Sequence, residues 1–298
     1  MANSKKPCYA DWVFKPCACI LALLILAASI SASAEPLVLP IAASQDYAYS
    51  YKDFLNRHGG SPYSIDDFAG TTRGVTSLVL MQQAARIGGM PFEVNVLESP
   101  NPGRAMLLVK QGKAAAFASD MWQNEFDDTV IMSPPVVRKG EFEKGIYGLR
   151  ENSALMAVRS LKELRTFSTA VDLTWQRDIE TLTAMGIHTI TKVPRYELMI
   201  RVVGGHRTDF IIAEFANVNH DFSFTAYGVK LYPVPGVKIV IPHSRHFMFS
   251  KKHPMGARLA KAVNCGMKQL RKQGRIRKAL EQCGFINTGV AKWKQIYP

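Results

Sequence analysis

The sequence holds 298 residues, 47% hydrophobic and 20% charged, with 37 Lys plus Arg against 24 Asp plus Glu for a formal charge of +13. That is enough chain for two domains with ordinary cores. It excludes a disordered tail, a miniature disulfide scaffold and a multi-span membrane protein.

Residues 1–34 read as a secretory signal peptide. Lys5, Lys6 and Lys15 precede the apolar run Cys17 to Ala28, and Ala32-Ser33-Ala34 supplies a small-residue cleavage site before Glu35. The uninterrupted apolar stretch is shorter than the ~20 residues that span a bilayer. Cys8, Cys17 and Cys19 lie before the run or at its start, not after it where a lipid-bearing cysteine belongs. Beyond residue 34 there remain 34 basic and 23 acidic residues, a charge of +11. Only Cys265 and Cys283 are left there. An even pair in an exported chain predicts a disulfide between them, with two buried free thiols as the alternative.

The apolar segment Leu37 to Ile41 predicts a buried first strand, followed by a tyrosine-rich loop from Ser44 to Tyr51 carrying Asp46, Tyr47 and Tyr49. A loop of this kind at a strand end is a typical site margin. Arg73 to Ile87 reads as a helix closed by Gly88-Gly89, and Phe92, Val94 and Val96 alternate as a strand. Asn101-Pro102 caps and starts the next helix, which Gly112 ends. Ala114 to Ala118 is then a third strand. After Ser133-Pro134-Pro135 and Lys139-Gly140 the βα pattern restarts in a second lobe, with strands expected near Ile146 to Leu149 and Ala154 to Val158. Ser160 and Glu163 form a capping-box pair, Phe167 to Val171 is a strand, and Ile179, Leu182 and Met185 mark an apolar helix face. Strands near His188 to Thr191 and Phe210 to Ala213 flank a helix begun by Pro194, and Val234-Pro235-Gly236 suggests the return crossing. Val237 to Ile241 and His246 to Ser250 are strands. Leu259, Val263, Met267 and Leu270 then share one face of a long helix. Between Lys251 and Lys278 there are ten Lys or Arg and no acid, a run that reads either as a solvated face or as a contact for anionic membrane or nucleic acid.

Two βα lobes behind a secretion signal, the first lobe discontinuous in sequence, resemble the periplasmic solute-binding proteins of family 3. Gln111-Gly112-Lys113-Ala114-Ala115 resembles that family's entry to a strand, and Val130-Ile131-Met132-Ser133-Pro134-Pro135 its approach to the hinge. Ser160-Leu161-Lys162-Glu163-Leu164 is similar to another family segment, as is Phe247 to Pro254 followed by a long helix and Gly274. The resemblance implies an α/β, two-lobe type II periplasmic-binding-protein fold, each lobe a mixed sheet flanked by helices, with two hinge crossings. Its first lobe would comprise residues 35–140 and 237–298, its second residues 141–236. It also implies a small ligand, usually an amino acid, delivered to an ABC-type importer.

Within that resemblance, Asp209-Phe210-Ile211-Ile212-Ala213-Glu214 matches the stretch whose second acid binds a ligand's amino group, so Glu214 implies an amine-bearing ligand. The family's Thr-x-x-Arg, which grips a carboxylate, is replaced by Gln123 and Phe126, which argues against an ordinary α-amino acid. Arg73 and Arg104 are the candidate substitutes. Ser119-Asp120-Met121-Trp122 brings an acid and an indole, and Asp172-Leu173-Thr174-Trp175 opens a helix whose N–H groups and Thr174 hydroxyl can meet an anion. Trp122 and Trp175 fall at corresponding places in the two lobes and, with Tyr47 and Tyr49, would wall a planar or apolar ligand. Arg245 lies near the return crossing and faces the same region. His243-x-x-His246 lacks a third ligand, so no metal is expected. No cofactor motif and no catalytic motif occurs. The expectation is a monomeric binding protein, not an enzyme, in the periplasm. Its partners would be a small-molecule ligand and a membrane permease or receptor, without nucleic acid. The competing readings are a periplasmic sensor and a cyclohexadienyl-dehydratase-like enzyme.

Overall fold

The computed structural model describes residues 37–215 and 220–298. Residues 1–34, read from the sequence as a signal peptide, lie outside the described residues. No helix among the described residues is long and apolar enough to cross a membrane.

The first lobe is built from β1 (Leu37–Ser44), α1 (Gln45–Arg57), α2 (Arg73–Ile87), β2 (Phe92–Ser99), α3 (Pro102–Lys110), β3 (Ala116–Trp122) and β4 (Val130–Val137). The chain then passes to β5 (Glu143–Gly148), α4 (Ser153–Met156), α5 (Leu161–Leu164), β6 (Thr169–Asp172), α6 (Gln176–Ala184), β7 (Ile190–Val193), α7 (Tyr196–Gly204) and β8 (Phe210–Ala213). It closes through β9 (Phe224–Ala226), β10 (Val229–Pro233), β11 (Val237–Val240), β12 (Arg245–Ser250), α8 (Gly256–Lys272), α9 (Arg275–Gln282) and β13 (Lys294–Tyr297).

The first sheet has the order β2-β1-β3-β12-β4, with β1 parallel to β2 and β3, and β12 antiparallel to β3 and β4. Side chains alternate across it. Ala116, Ala118, Phe247 and Phe249 face a core shared with α2 and α8, whereas Phe117 and Met248 face Ala105 and Val109 of α3. The second sheet, β13-β11-β5-β8-β6-β7, repeats the arrangement. There β6 is parallel to β7 and β8, and β5 runs antiparallel beside β8. Ile146, Val171 and Ile212 point to a core shared with Leu182 of α6; Tyr147, Ala170 and Ile211 point to one shared with Ile200 of α7. In each lobe the parallel strands end at one edge, where a ligand site in such sheets lies.

Helix α8 approaches α2 and the glycine after it backbone to backbone at two points. A Cβ on Gly266 would stand 1.9 Å from the Ala84 carbonyl oxygen, and one on Gly88 would stand 2.1 Å from that of Ala262. Both obstacles are backbone, so Gly266→Val should lower unfolding free energy by about 3 kcal/mol, measurable by denaturant titration.

Several sequence expectations need correction. The Ser44 to Tyr51 segment is not a loop: Ser44 ends β1 and stands at the N-cap of α1, and Gln45 to Tyr51 is the first half of that helix. Ala48, Tyr51 and Phe54 are buried along one face, and the Tyr51 hydroxyl donates to Gln82 Oε1 at 2.6 Å. Ala154 to Val158 is not a strand. Asn152 caps the short α4 by accepting from the Leu155 N–H, and Leu155 tucks under Gly148. Val237–Val240 pairs with β5 and β13, because Val237 and Ile239 belong to the second core. Strand pairing therefore returns to the first sheet over residues 241–244, not at Val234-Pro235-Gly236. The chain end comes back to the second sheet as β13, held where Lys238 Nζ donates to the Val290 and Ala291 carbonyls.

Cys265 and Cys283 are free thiols, not a disulfide. Cys265 sits on the exposed face of α8, while Cys283 follows α9 and packs toward the first core. Burial also raises the Cys283 thiol above its ordinary pKa. In the native protein, iodoacetamide should label Cys265 about tenfold or more faster than Cys283, and both should be labelled after unfolding without reductant, as read by peptide mass spectrometry.

Candidate functional site

The cleft between the two sheets' strand ends encloses about 830 Å³. Its floor in the first lobe is Asp120, near the end of β3 and wholly buried. An isolated carboxylate there would be costly, and the chain surrounds it with donors. Oδ1 accepts from Arg73 Nη1 at 2.5 Å, from Ser77 Oγ at 2.6 Å and from Ser119 Oγ at 3.3 Å. Oδ2 accepts from Arg245 Nε, whose Nη2 also donates to the Asp120 carbonyl at 2.7 Å.

Local structure explains the convergence. Arg73 is the first residue of α2, fixed by Thr72, which accepts from the Val75 N–H, and Ser77 lies one turn further on the same face. Arg245 opens β12, whose antiparallel register sets Phe247 beside Asp120 and Arg245 beside Trp122. The Arg245 guanidinium lies 4.3 Å from the Trp122 ring centroid. Tyr47 covers the start of α2 so closely that a Cβ on Gly74 would fall 1.8 Å from its ring.

Burial alone would push the Asp120 carboxyl up. The Arg73 and Arg245 guanidiniums and the Ser77 hydroxyl outweigh it and hold the group well below the usual carboxylate range. Two arginines on one carboxylate leave a net positive charge at the cleft floor. Arg73 Nε is buried with no hydrogen-bond partner among the described residues.

The second lobe contributes a different chemistry. Lys144 on β5 pairs with Asp178 of α6 at 2.5 Å, both nearly inaccessible, and the ammonium lies 5.3 Å from the Trp175 ring centroid and 5.6 Å from that of Phe142. Trp175 stacks on Tyr196 with centroids 5.8 Å apart. Asp172 accepts from the Thr174 N–H at 2.9 Å and from its hydroxyl at 2.7 Å, so that carboxylate closes the turn before α6. Glu214 follows β8, is exposed, and has no hydrogen bond or ion pair among the described residues. Across the mouth, Arg177 Nε of α6 donates to Asn124 Oδ1 of the first lobe at 2.7 Å.

Of the residues singled out in the sequence, Tyr47, Arg73, Ser119, Asp120, Trp122, Thr174, Trp175, Glu214 and Arg245 line this one cleft. Tyr49 is 76% exposed and is not among the lining residues. Arg104 is also exposed and lies outside the lining set. Asp46 belongs to α1, and its side chain lies outside the described ones. The two tryptophans occupy different places in the repeat. Trp122 ends the third strand of its parallel set, whereas Trp175 follows the first strand of the other. Sequence reasoning missed Ser77, Phe142, Lys144, Arg177 and Asp178. Ser77 alone had a local signal, its helical spacing from Arg73.

No protein-family model matches the chain, and no curated protein matches it. Among solved structures it is similar to a probable amino-acid ABC transporter extracellular-binding protein from Bacillus subtilis. The TM-score is 0.56 at 15% identity, over 84% of this chain and 100% of the other. It is also similar to an ancestral cationic amino acid solute-binding protein, with TM-score 0.52 at 17% identity, over 83% and 95%. A third is the periplasmic VFT2 domain of BvgS from Bordetella pertussis, with TM-score 0.51 at 12% identity, over 82% and 93%. These likenesses establish the two-lobe type II periplasmic-binding fold.

Proposed function

We propose that a chain with this fold and this cleft is an exported solute-binding protein, which captures a small ligand between its lobes and presents it to a membrane permease of the ABC-importer type. The ligand carries two poles. Its acidic group goes to the first-lobe floor, and its ammonium to Glu214. Trp122, Trp175 and Tyr47 enclose its apolar or planar part. The observation that carries this reading is the Arg73–Asp120–Arg245 cluster, which leaves one buried positive charge uncompensated in a cavity open to a ligand. An anion arriving there meets guanidinium donors already oriented by Asp120. The absent Thr-x-x-Arg then ceases to count against a carboxylate-bearing ligand, because Arg73 and Arg245 supply the same chemistry from other elements.

A binding role fits better than an enzymatic one. Asp120 is held ionised and has both oxygens engaged, so it is a poor proton donor or acceptor. Glu214, the other acid suggested for such a role, is solvent-exposed. Location in the periplasm rests on the sequence of residues 1–34.

The test is a thermal-shift screen of amino acids, amines and carboxylates, since a ligand that binds only the folded state raises apparent stability. The best compound's affinity should fall about tenfold or more in Glu214→Ala, with the melting temperature of the unliganded protein unchanged. An unchanged affinity would remove Glu214 from the site.

A further inference from the structure

The cleft leaves unexplained the densest charge on the molecule. Helix α8 spans 17 residues and carries Arg258, Lys261, Lys268, Arg271 and Lys272 with no acidic residue. Arg258, Lys261, Lys268 and Lys272 are exposed, and at helical spacing they fall within roughly a quarter of the circumference. The opposite side is buried through Leu259, Val263, Met267 and Leu270. Lys251 and Lys252, also exposed, precede the helix in sequence.

Three features separate this row from an ordinary solvated face. Some exposed arginines on other helices are paired one turn away, Arg57 with Asp53, Arg201 with Glu197 and Arg277 with Glu281, whereas Arg86 and Arg104 stand singly without an ion pair among the described residues. The four exposed cations of α8 have no ion pair or hydrogen bond among the described residues. Arg258 also sits in the first turn, where a cation opposes the helix dipole, so this end of the row does not serve helix stability, although Arg271 and Lys272 in the last turn do. Finally, the row is rigidly held. Gly266 seats α8 directly on α2, and Arg271 leaves the row to donate to the Val136 carbonyl at 3.0 Å and to the Pro135 carbonyl.

We infer that the exposed face of α8 is a docking surface for an anionic lipid bilayer. A straight row of unpaired ammonium and guanidinium groups about 21 Å long matches a flat sheet of phosphate headgroups. The residues between them on that arc are small or polar, with no aromatic ring to stack on a base, which disfavours single-stranded nucleic acid. No residue of α8 lines the cleft, so docking there leaves the ligand mouth free.

The experiment is co-sedimentation of the full chain with vesicles of phosphatidylcholine alone or with 30% phosphatidylglycerol, in ~50 and ~300 mM salt. The same assay is run on Lys261→Glu/Lys268→Glu/Lys272→Glu, and comparison of variant and parent cancels any contribution of residues 1–34. The parent should bind the anionic vesicles about tenfold or more tightly than the neutral ones, with the preference lost at high salt. The triple variant should lose that preference while keeping its melting temperature and its cleft ligand. Equal binding to both vesicle types, or an anionic preference that survives in the variant, would overturn the proposal. So would a parent that prefers a DNA oligonucleotide to the anionic vesicles in competition.

Discussion

Asp120→Ala is expected to destabilise the protein by about 3–5 kcal/mol, because removing one partner from a buried ionic cluster leaves the others uncompensated. Here two guanidiniums, from α2 and β12, would face each other with no carboxylate between them. The melting temperature should fall by on the order of 10 °C. The pH dependence has a definite sign. The folded-state pKa of Asp120 is depressed, so its stabilisation is present above the unfolded value near ~3.9 and is lost as pH falls through the folded value. Acid titration of the parent should therefore show a loss of stability below about pH 4 that is smaller in Asp120→Asn. A variant whose melting temperature stayed within a degree or two of the parent's would mean that the cluster does not hold the floor together.

The second large effect falls on binding. In Arg73→Ala, Asp120 keeps Arg245, Ser77 and Ser119, so the floor remains satisfied but becomes electrically neutral. The affinity for an acidic ligand should drop by about a hundredfold or more, the cost of removing a buried charged partner, while stability falls less than in Asp120→Ala. Arg73→Lys should recover little, since an ammonium cannot replace the planar fork that reaches Asp120 and a ligand together. Calorimetric titration of the three proteins separates these outcomes. Equal affinities in parent and Arg73→Ala would place the ligand's acidic group elsewhere.

The βα order of both lobes was readable because its signals are local. The Asn101 cap, the Ser160–Glu163 box and the apolar face of Leu259, Val263, Met267 and Leu270 each act within a few residues. Strands whose burial depends on distant partners were harder. Val237–Val240 is apolar enough for either sheet, and only pairing with β5 and β13 assigns it to the second. The tyrosines of α1 looked like a loop because residue type suggested a site margin, whereas their spacing fits a helix that buries Tyr51 and leaves Tyr49 outside. In the cleft, Asp120, Trp122, Trp175 and Arg245 were legible from their places at strand and crossing ends, and Glu214 from the family stretch that Asp209 to Glu214 resembles. The use of Asp120 was not legible. Its two arginines come from positions 73 and 245, and no spacing rule in the sequence joins them to residue 120. Lys144 and Asp178 were invisible for the same reason, being brought together by packing of α6 on β5. The disulfide expectation came from counting cysteines and exported context, neither of which fixes which helix face a thiol occupies.

The most direct test of the cleft assignment is isothermal calorimetry of the parent protein with the best compound from the thermal screen. It should be run beside that compound's analogues lacking the acidic group and lacking the amino group. Saturable one-to-one binding of the two-pole compound is expected, with each analogue weaker by about tenfold or more. If removing the acidic group left the affinity unchanged, the excess positive charge beneath Arg73 and Arg245 would have no part in ligand capture, and the assignment would be contradicted.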